Sequence, residues 1–350
     1  MNRKDAGRYF SRLQTLETMR QLTHYADGYN LYLMDILYDY SLDALLDYGI
    51  TDDETMVDAI LSQALPGLPV RIQPPQFGCS AFCTTDIDGE ILMGRNYDFR
   101  RDTSCMLVHC APVEGYASVG FAALDNVNAN DPMQTMEKRL AALTAPFICL
   151  DGMNEKGLSV AVLTLDSAPV FQQTGKPVIT PTLAIRLVLD RAANVDEAVK
   201  LLQGYDMFAS GGRDYHFYLA DASGQGCVVE YDCDRADRPL VATSVRTATN
   251  FYALYSDRVL PDQRNGIYGH GRERYDRIER ILEENAGTIS DGTAWQALRA
   301  ASQLPDPTDV TSNTQWSVLY NDTKLTAQIV FRRHWEDVIQ YDLKYGTITT

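Results

Sequence analysis

Apolar residues recur at three- and four-residue steps through the first 64 positions. Tyr9, Leu13, Leu16 and Met19 make one run, Leu31, Met34, Leu37 and Tyr38 a second, Leu42, Leu45 and Leu46 a third. That spacing keeps one face of a 3.6-residue turn apolar and predicts helices over 1–64. Thr51-Asp-Asp-Glu54 ahead of Met56 predicts a helix start, with acids at the positive end of the dipole. The stretch 65–78 then carries four prolines, which stop helices and enforce an extended chain, so it reads as a linker.

After Gly78 the pattern changes to β. Two β-rich runs, 79–85 and 90–97, flank Asp86-Ile-Asp-Gly89 and predict a hairpin. Further strands are predicted at 106–110, 117–122, 147–149 and 159–165, the last after a turn at Asn154-Glu-Lys-Gly157. Hairpins are predicted from 216–220 with 226–231, and from 315–320 with 327–331. Helices are predicted at 181–191, 196–202, 272–285 and 294–301. Strands joined as hairpins and partly segregated from helices imply antiparallel sheets layered with helices, an α+β architecture.

Composition narrows the functional classes. The 350 residues are 45% hydrophobic and 22% charged, which supplies a sizeable core. The net charge of −16 speaks against a nucleic-acid partner and against a polyanionic membrane surface, both of which need a basic face. No stretch approaches the roughly 20 apolar residues of a membrane span. Seven cysteines, an odd number without paired spacing, and no apolar signal core behind the first charges place the expected location in a reducing cytoplasm.

The sharpest chemical feature is positional. Cys79 opens the first strand of the β region, directly behind Gly78 and the proline-rich stretch. Arg95 and Asp98 follow on the returning strand, where an antiparallel hairpin brings them beside the start of the first. A cysteine is a nucleophile as thiolate, and a nearby guanidinium favours that form. Spacing alone leaves open a cysteine packed as a small hydrophobe.

Cys79-Ser-Ala-Phe, Asp88-Gly89 and Gly94-Arg-Asn-Tyr-Asp-Phe99 resemble the opening of the choloylglycine hydrolase family of linear-amide hydrolases, which holds bile salt hydrolases and penicillin V acylases. Four more stretches resemble it in the same order: Asp151-Gly-Met-Asn-Glu-Lys-Gly-Leu158, Val228-Val-Glu-Tyr231 leading to Thr249-Asn-Phe251, Glu273-Arg-Tyr275, and Thr314-Gln-Trp-Ser-Val-Leu-Tyr320. The likeness runs over about 79–343. It implies a four-layer αββα N-terminal-nucleophile hydrolase domain over 79–350, preceded by a helical leader, 1–78. It also implies that Cys79 is the nucleophile and that its own α-amino group is the base, which suits a pKa of about 7.7–8.0. Arg95 is then expected to favour the thiolate, Asp98 to hold the α-amine, Asn250 to meet the oxyanion together with the Thr164 backbone, and Arg274 to tie the site together. Thr164 stands where bile salt hydrolases carry Asn, a departure that puts bile-salt specificity in doubt.

The long leader resembles ceramidase-type precursors and predicts autocatalytic cleavage between Gly78 and Cys79. The expected substrate is a small N-acyl amide with an apolar acyl group, and the leader is an expected partner. No cofactor and no metal are expected, and a homo-oligomer is compatible with the sequence. Two other readings stand beside hydrolysis: an acyltransferase that passes the acyl group to an amine, and a non-catalytic scaffold that binds acyl ligands. None of His24, His109, His216, His270 or His334 sits in a papain-like context. Cys105-Met-Leu-Val-His-Cys110 fits an alternating strand better than a zinc pattern. Asp86-Ile-Asp-Gly89 lacks the remaining ligands of a calcium loop, and Cys83 reads as core-facing. The tyrosine-rich stretch 29–48 reads as a partner-facing helical stripe.

Overall fold

The computed structural model describes residues 3–65, 78–209, 212–261, 269–309 and 312–349. The predicted linker therefore lies outside the described residues except at its two ends. The body is two sheets packed face to face between helices. One sheet has seven strands, in the order Thr247–Ala248, Gly78–Thr85, Ile91–Asp98, Thr314–Asn321, Thr326–Phe331, Ile339–Asp342 and Thr347–Thr349. The other has nine, in the order Arg20–Gln21, Leu31–Ile36, Cys105–Cys110, Ser118–Ala123, Cys149–Asn154, Leu158–Leu165, Asp214–Asp221, Gly226–Tyr231 and Leu240–Ser244. The helices predicted after residue 180 form at Pro181–Arg191, Val195–Leu202, Arg272–Glu284 and Asp291–Ala301.

Strand parity explains the layering. In Gly78–Thr85, the odd residues Cys79, Ala81 and Cys83 join the cluster between the sheets. Phe82 points the other way, into a cluster with Ile278, Leu282, Ala294 and Leu298 of the two helices that cover this sheet. The neighbouring strand repeats the rule: Met93 and Tyr97 face inward, Leu92 faces the helices. Gly94 is required there, because an added Cβ would lie 2.4 Å from the Phe82 ring. The helix Pro181–Arg191 covers the second sheet, its Leu189 packing against Gly152.

The N-terminal segment departs from the helical expectation. Arg3–Thr18 and Asp53–Ala64 are helices, the latter with a capping box from Asp52 to Thr55. Leu31–Ile36, however, is a strand, paired in parallel with Cys105–Cys110 from Leu31 opposite Cys105 to Ile36 opposite Cys110. Its side chains are buried on both faces, so it shows no alternation, and a short continuous apolar run does not separate strand from helix. Most of the tyrosine stripe is likewise no free face, although Tyr48 at its end is exposed. Tyr38 is buried and its hydroxyl donates to the Leu143 carbonyl at 2.6 Å, while Tyr40 donates to Asp190 at 3.0 Å. The strand expected at 147–149 begins instead at Cys149 and runs to Asn154, after a 3-10 turn at Ala142–Phe147.

Candidate active site

The hairpin register sets Gly78 opposite Asp98, Cys79 opposite Tyr97 and Ala81 opposite Arg95. Cys79 and Arg95 therefore share the face between the sheets, one diagonal step apart. Arg95 donates from Nη1 to Cys79 Sγ at 3.0 Å. The rest of its fork is fixed: Nε meets Asp151 Oδ2 at 2.6 Å, and Nη2 donates to the Val162 carbonyl at 3.1 Å. Asp151 in turn accepts from Tyr320 at 2.6 Å and Trp316 at 3.1 Å. Arg95 and Asp151 are wholly buried, so each charge depends on the other.

Asp98 lies on the other face of its strand, toward the helices. Its carboxylate accepts from Thr314 Oγ1 at 2.5 Å and meets Arg274 Nη1 at 3.4 Å. Arg274 comes from the first turn of Arg272–Glu284, whose N-cap Gly271 is left-handed at φ 94. An added Cβ there would lie 2.7 Å from Arg274 Nη2, so the glycine lets the guanidinium pass. Arg274 also donates to the Cys79 carbonyl and, at 2.7 Å, to Asn250 Oδ1.

Asn250 completes the ring. Its Oδ1 accepts from the Cys79 backbone N–H at 2.9 Å, and its Nδ2 donates to the Thr164 carbonyl at 2.7 Å. The structure thus gathers Cys79, Arg95, Asp98, Thr164, Asn250 and Arg274 around one backbone unit. In the uncut chain the Cys79 N–H is held by Asn250, while strand parity turns Asp98 toward Arg274; the expected hold of Asp98 on the α-amine concerns the chain after cleavage. Two groups were missed from sequence, Asp151 and Thr314. A lone carboxylate in an apolar strand demands a buried cation, and that was the available signal for Asp151.

Burial governs the electrostatics. It pushes the Cys79 thiol up to about 11, although Arg95 pulls the other way. Burial also raises Asp98, against the pull of Arg274 and the Thr314 hydroxyl, and raises Asp151 against Arg95. Burial would lower Arg95, but Cys79 and Asp151 outweigh it and leave the guanidinium firmly charged. Cys83 faces the core, with its thiol pushed well up by burial. All seven cysteines are free. His216 is buried between Glu230 at 2.9 Å and the Thr249 carbonyl at 2.8 Å, a structural tie next to Asn250. His109 faces Asp35 at 3.1 Å. Among the described residues, no helix is long and apolar enough to cross a membrane.

Two facing sheets between helical layers, with a cysteine at the head of an inner strand, define the fold of N-terminal-nucleophile hydrolases. Solved structures agree. Two variants of conjugated bile acid hydrolase from Clostridium perfringens align at TM-scores of 0.55 and 0.57, each with 16% identity over 78% of this chain and 96% of theirs. Penicillin V acylase from Agrobacterium tumefaciens aligns at 0.53, with 18% identity over 76% of this chain and 86% of that one. A comparison with curated proteins returns no match. Residues 79–237 match the family described as linear amide C-N hydrolases, choloylglycine hydrolase family. The protein is accordingly a hydrolase of carbon–nitrogen bonds in linear amides.

Proposed function

We propose that the protein is a cysteine amidohydrolase that cleaves small N-acyl amides through an acyl-enzyme on Cys79. The observation that carries this reading is the 3.0 Å contact of Arg95 Nη1 with Cys79 Sγ, at a residue whose nitrogen and carbonyl are held by Asn250 and Arg274. In the uncut chain the Cys79 nitrogen is an amide and no base, and a thiol at about 11 stays protonated at neutral pH. Cleavage between Gly78 and Cys79 converts that amide into an α-amine of ordinary pKa about 7.7–8.0.

Cleavage begins when Cys79 Sγ attacks the Gly78 carbonyl and the C–N bond breaks. The thiol proton passes to the departing nitrogen. Water then hydrolyses the Gly78 thioester and frees the thiol. In turnover, the α-amine takes the thiol proton, Sγ attacks the substrate carbonyl, and the Asn250 amide turns from the Thr164 carbonyl to the oxyanion. The amine leaves with a proton, and water releases the acid. Loss of an oxyanion donor such as Asn250 is worth about 10²–10³ in rate. The acyl group is expected to be apolar, as in the family.

The N-terminal segment stays after cleavage. Leu31, Leu33, Met34 and Ile36 are buried within the sheet, and each such side chain contributes about 1.5–3 kcal/mol. Their sum is comparable with the whole net stability of a domain, about 5–15 kcal/mol, so release would unfold the body. The test is intact mass of active protein together with a panel of N-acyl amides on Cys79→Ala. The expected result is two chains that co-purify, split before Cys79, and an inactive variant. Full activity from an uncut chain, or wild-type turnover by Cys79→Ala, rejects the reading.

A further inference from the structure

The N-terminal segment touches the body at a second place, and that contact leads to Asp98. The strand Thr326–Phe331 ends in a tight turn whose next two residues, Arg332 and Arg333, are both left-handed, at φ 49 and φ 62. Two consecutive arginines in that region hold an uncommon conformation that their surroundings must impose. The body holds the turn on one side, with the Arg332 N–H donating to the Gln315 carbonyl at 2.7 Å, and the loop 25–29 holds it on the other. Tyr25 stacks on His334 with centroids 3.9 Å apart, Asp27 pairs with Arg332 Nη2 at 2.7 Å, and the Tyr29 ring lies under the Arg332 guanidinium. Arg332 uses its other nitrogen on Asp102 at 2.6 Å, and Asp102 accepts from Asn313 Nδ2 at 2.9 Å.

Arg333 reaches inward from this turn. Its Nη1 donates to Asn313 Oδ1 at 2.8 Å and to the Thr314 carbonyl at 2.6 Å. Asn313 is itself left-handed, at φ 67, and the pairing with Ile91–Asp98 shifts register between Thr314 and Trp316. Thr314 sits at the start of its strand, opposite Asp98 and just before the shift, where Gln303 holds its N–H and hydroxyl and Arg333 holds its carbonyl. Thr314 Oγ1 is the hydroxyl that bonds Asp98 Oδ1. Polar contacts thus run from Asp27 through Arg332 and Asp102 to Asn313, Arg333 bridges Asn313 to its chain neighbour Thr314, and Thr314 bonds Asp98.

We propose that the loop 25–29 is a built-in activator: seated on the Arg332–Arg333 turn, it helps hold Thr314 and through it Asp98, the carboxylate expected to steady the freed α-amine of Cys79, in the working position. The proposal rests on the reading that the Cys79 site is catalytic. Arg333 is on this view a positioning residue, and the retained segment is a functional subunit as well as a structural one. Four groups bear electrostatically on Asp98: Arg274 from the helix, Arg95 from its own strand, Arg333 from the turn and the Cys79 thiol from the adjacent strand. Removing the Arg333 charge leaves Asp98 easier to protonate, so the acid limb of the rate profile moves to higher pH.

The experiment uses the processed, two-chain enzyme and three variants. Asp27→Asn, at a half-exposed site, is expected to lower kcat about threefold to tenfold with KM and melting temperature near wild type. Arg333→Met is expected to lower kcat about 10²-fold and to shift the acid limb upward, while Arg333→Lys keeps the limb in place. Wild-type kcat and pH profile in Asp27→Asn overturn the proposal, and so does an unshifted acid limb in a folded Arg333→Met. If Arg333→Met does not fold, Asp27→Asn decides. Cys79→Ala run in parallel separates the two readings. If it retains turnover, the catalytic assignment fails. If it is dead while Asp27→Asn is wild type, only the activator role fails.

Discussion

The molecule contains two buried groups that look alike. In one, Cys79 lies against Arg95, which pairs with Asp151 at 2.6 Å. In the other, Cys110 lies near Arg186, which pairs with Asp190 at 2.6 Å. Both thiols are wholly enclosed and both are pushed by burial to about 11, with the arginine pulling down in each. A cysteine beside a buried Arg–Asp pair therefore does not make a site. The difference lies in the main chain. The Cys79 nitrogen and carbonyl are held by Asn250 and Arg274, and the proposed scission before it would yield an amine. Cys110 ends a strand paired on both sides, with Ile36 and with Ser118. Arg186 Nη2 also donates to Ser118 Oγ at 2.6 Å, and the Tyr40 hydroxyl of the N-terminal segment donates to Asp190, so this group fastens that segment to the body.

The largest expected effect would break the comparison most directly. Arg95→Met removes the cation beside the thiol and should lower kcat by about 10²–10³, the scale of lost electrostatic stabilisation in a buried site. Arg186→Met should leave kcat within about threefold and cost about 3–5 kcal/mol of stability, because it strands Asp190. Turnover and urea midpoints on both variants check this. A folded Arg186→Met without turnover would place the second group in catalysis and erase the distinction.

Much of the body was legible in the sequence, because half-buried hairpins and capped helices write their period into the chain. The turn at Asp86–Gly89 brought Cys79 and Arg95 together, and antiparallel return alone required it. The stretch Leu31–Ile36 was misread because a strand buried on both faces has no alternation, and Leu31, Met34 and Leu37 happened to fall at helical steps. The roles of Asp151, Thr314 and Arg333 were hidden for another reason: they act through contacts between strands far apart in sequence, such as Trp316 to Asp151 or Thr314 to Asp98. Which way Asp98 points in the uncut chain is set by strand parity, which turns it toward Arg274 and the helices.

The smallest expected effect concerns the fastening itself. Tyr40→Phe removes one hydroxyl and leaves the ring, which packs edge-on against Phe147 at 5.2 Å between centroids. Asp190 then keeps Arg186 but loses a donor at 3.0 Å, a loss of about 1–3 kcal/mol for a buried charged acceptor. The pH dependence follows from sign. Burial raises the Asp190 carboxyl above its ordinary range, and the Tyr40 hydroxyl opposes this by favouring the charged form. The stabilisation from Tyr40 is therefore present while Asp190 is ionised and fades as pH falls through its folded pKa. Because that pKa is raised, the gap between wild type and Tyr40→Phe should close above the ordinary value of about 3.9. Melting temperatures from pH 8 down toward about 4 measure the gap. A gap that stays constant over that range would mean that the hydroxyl works by packing alone, and a fall in kcat at unchanged stability would join this group to the catalytic one.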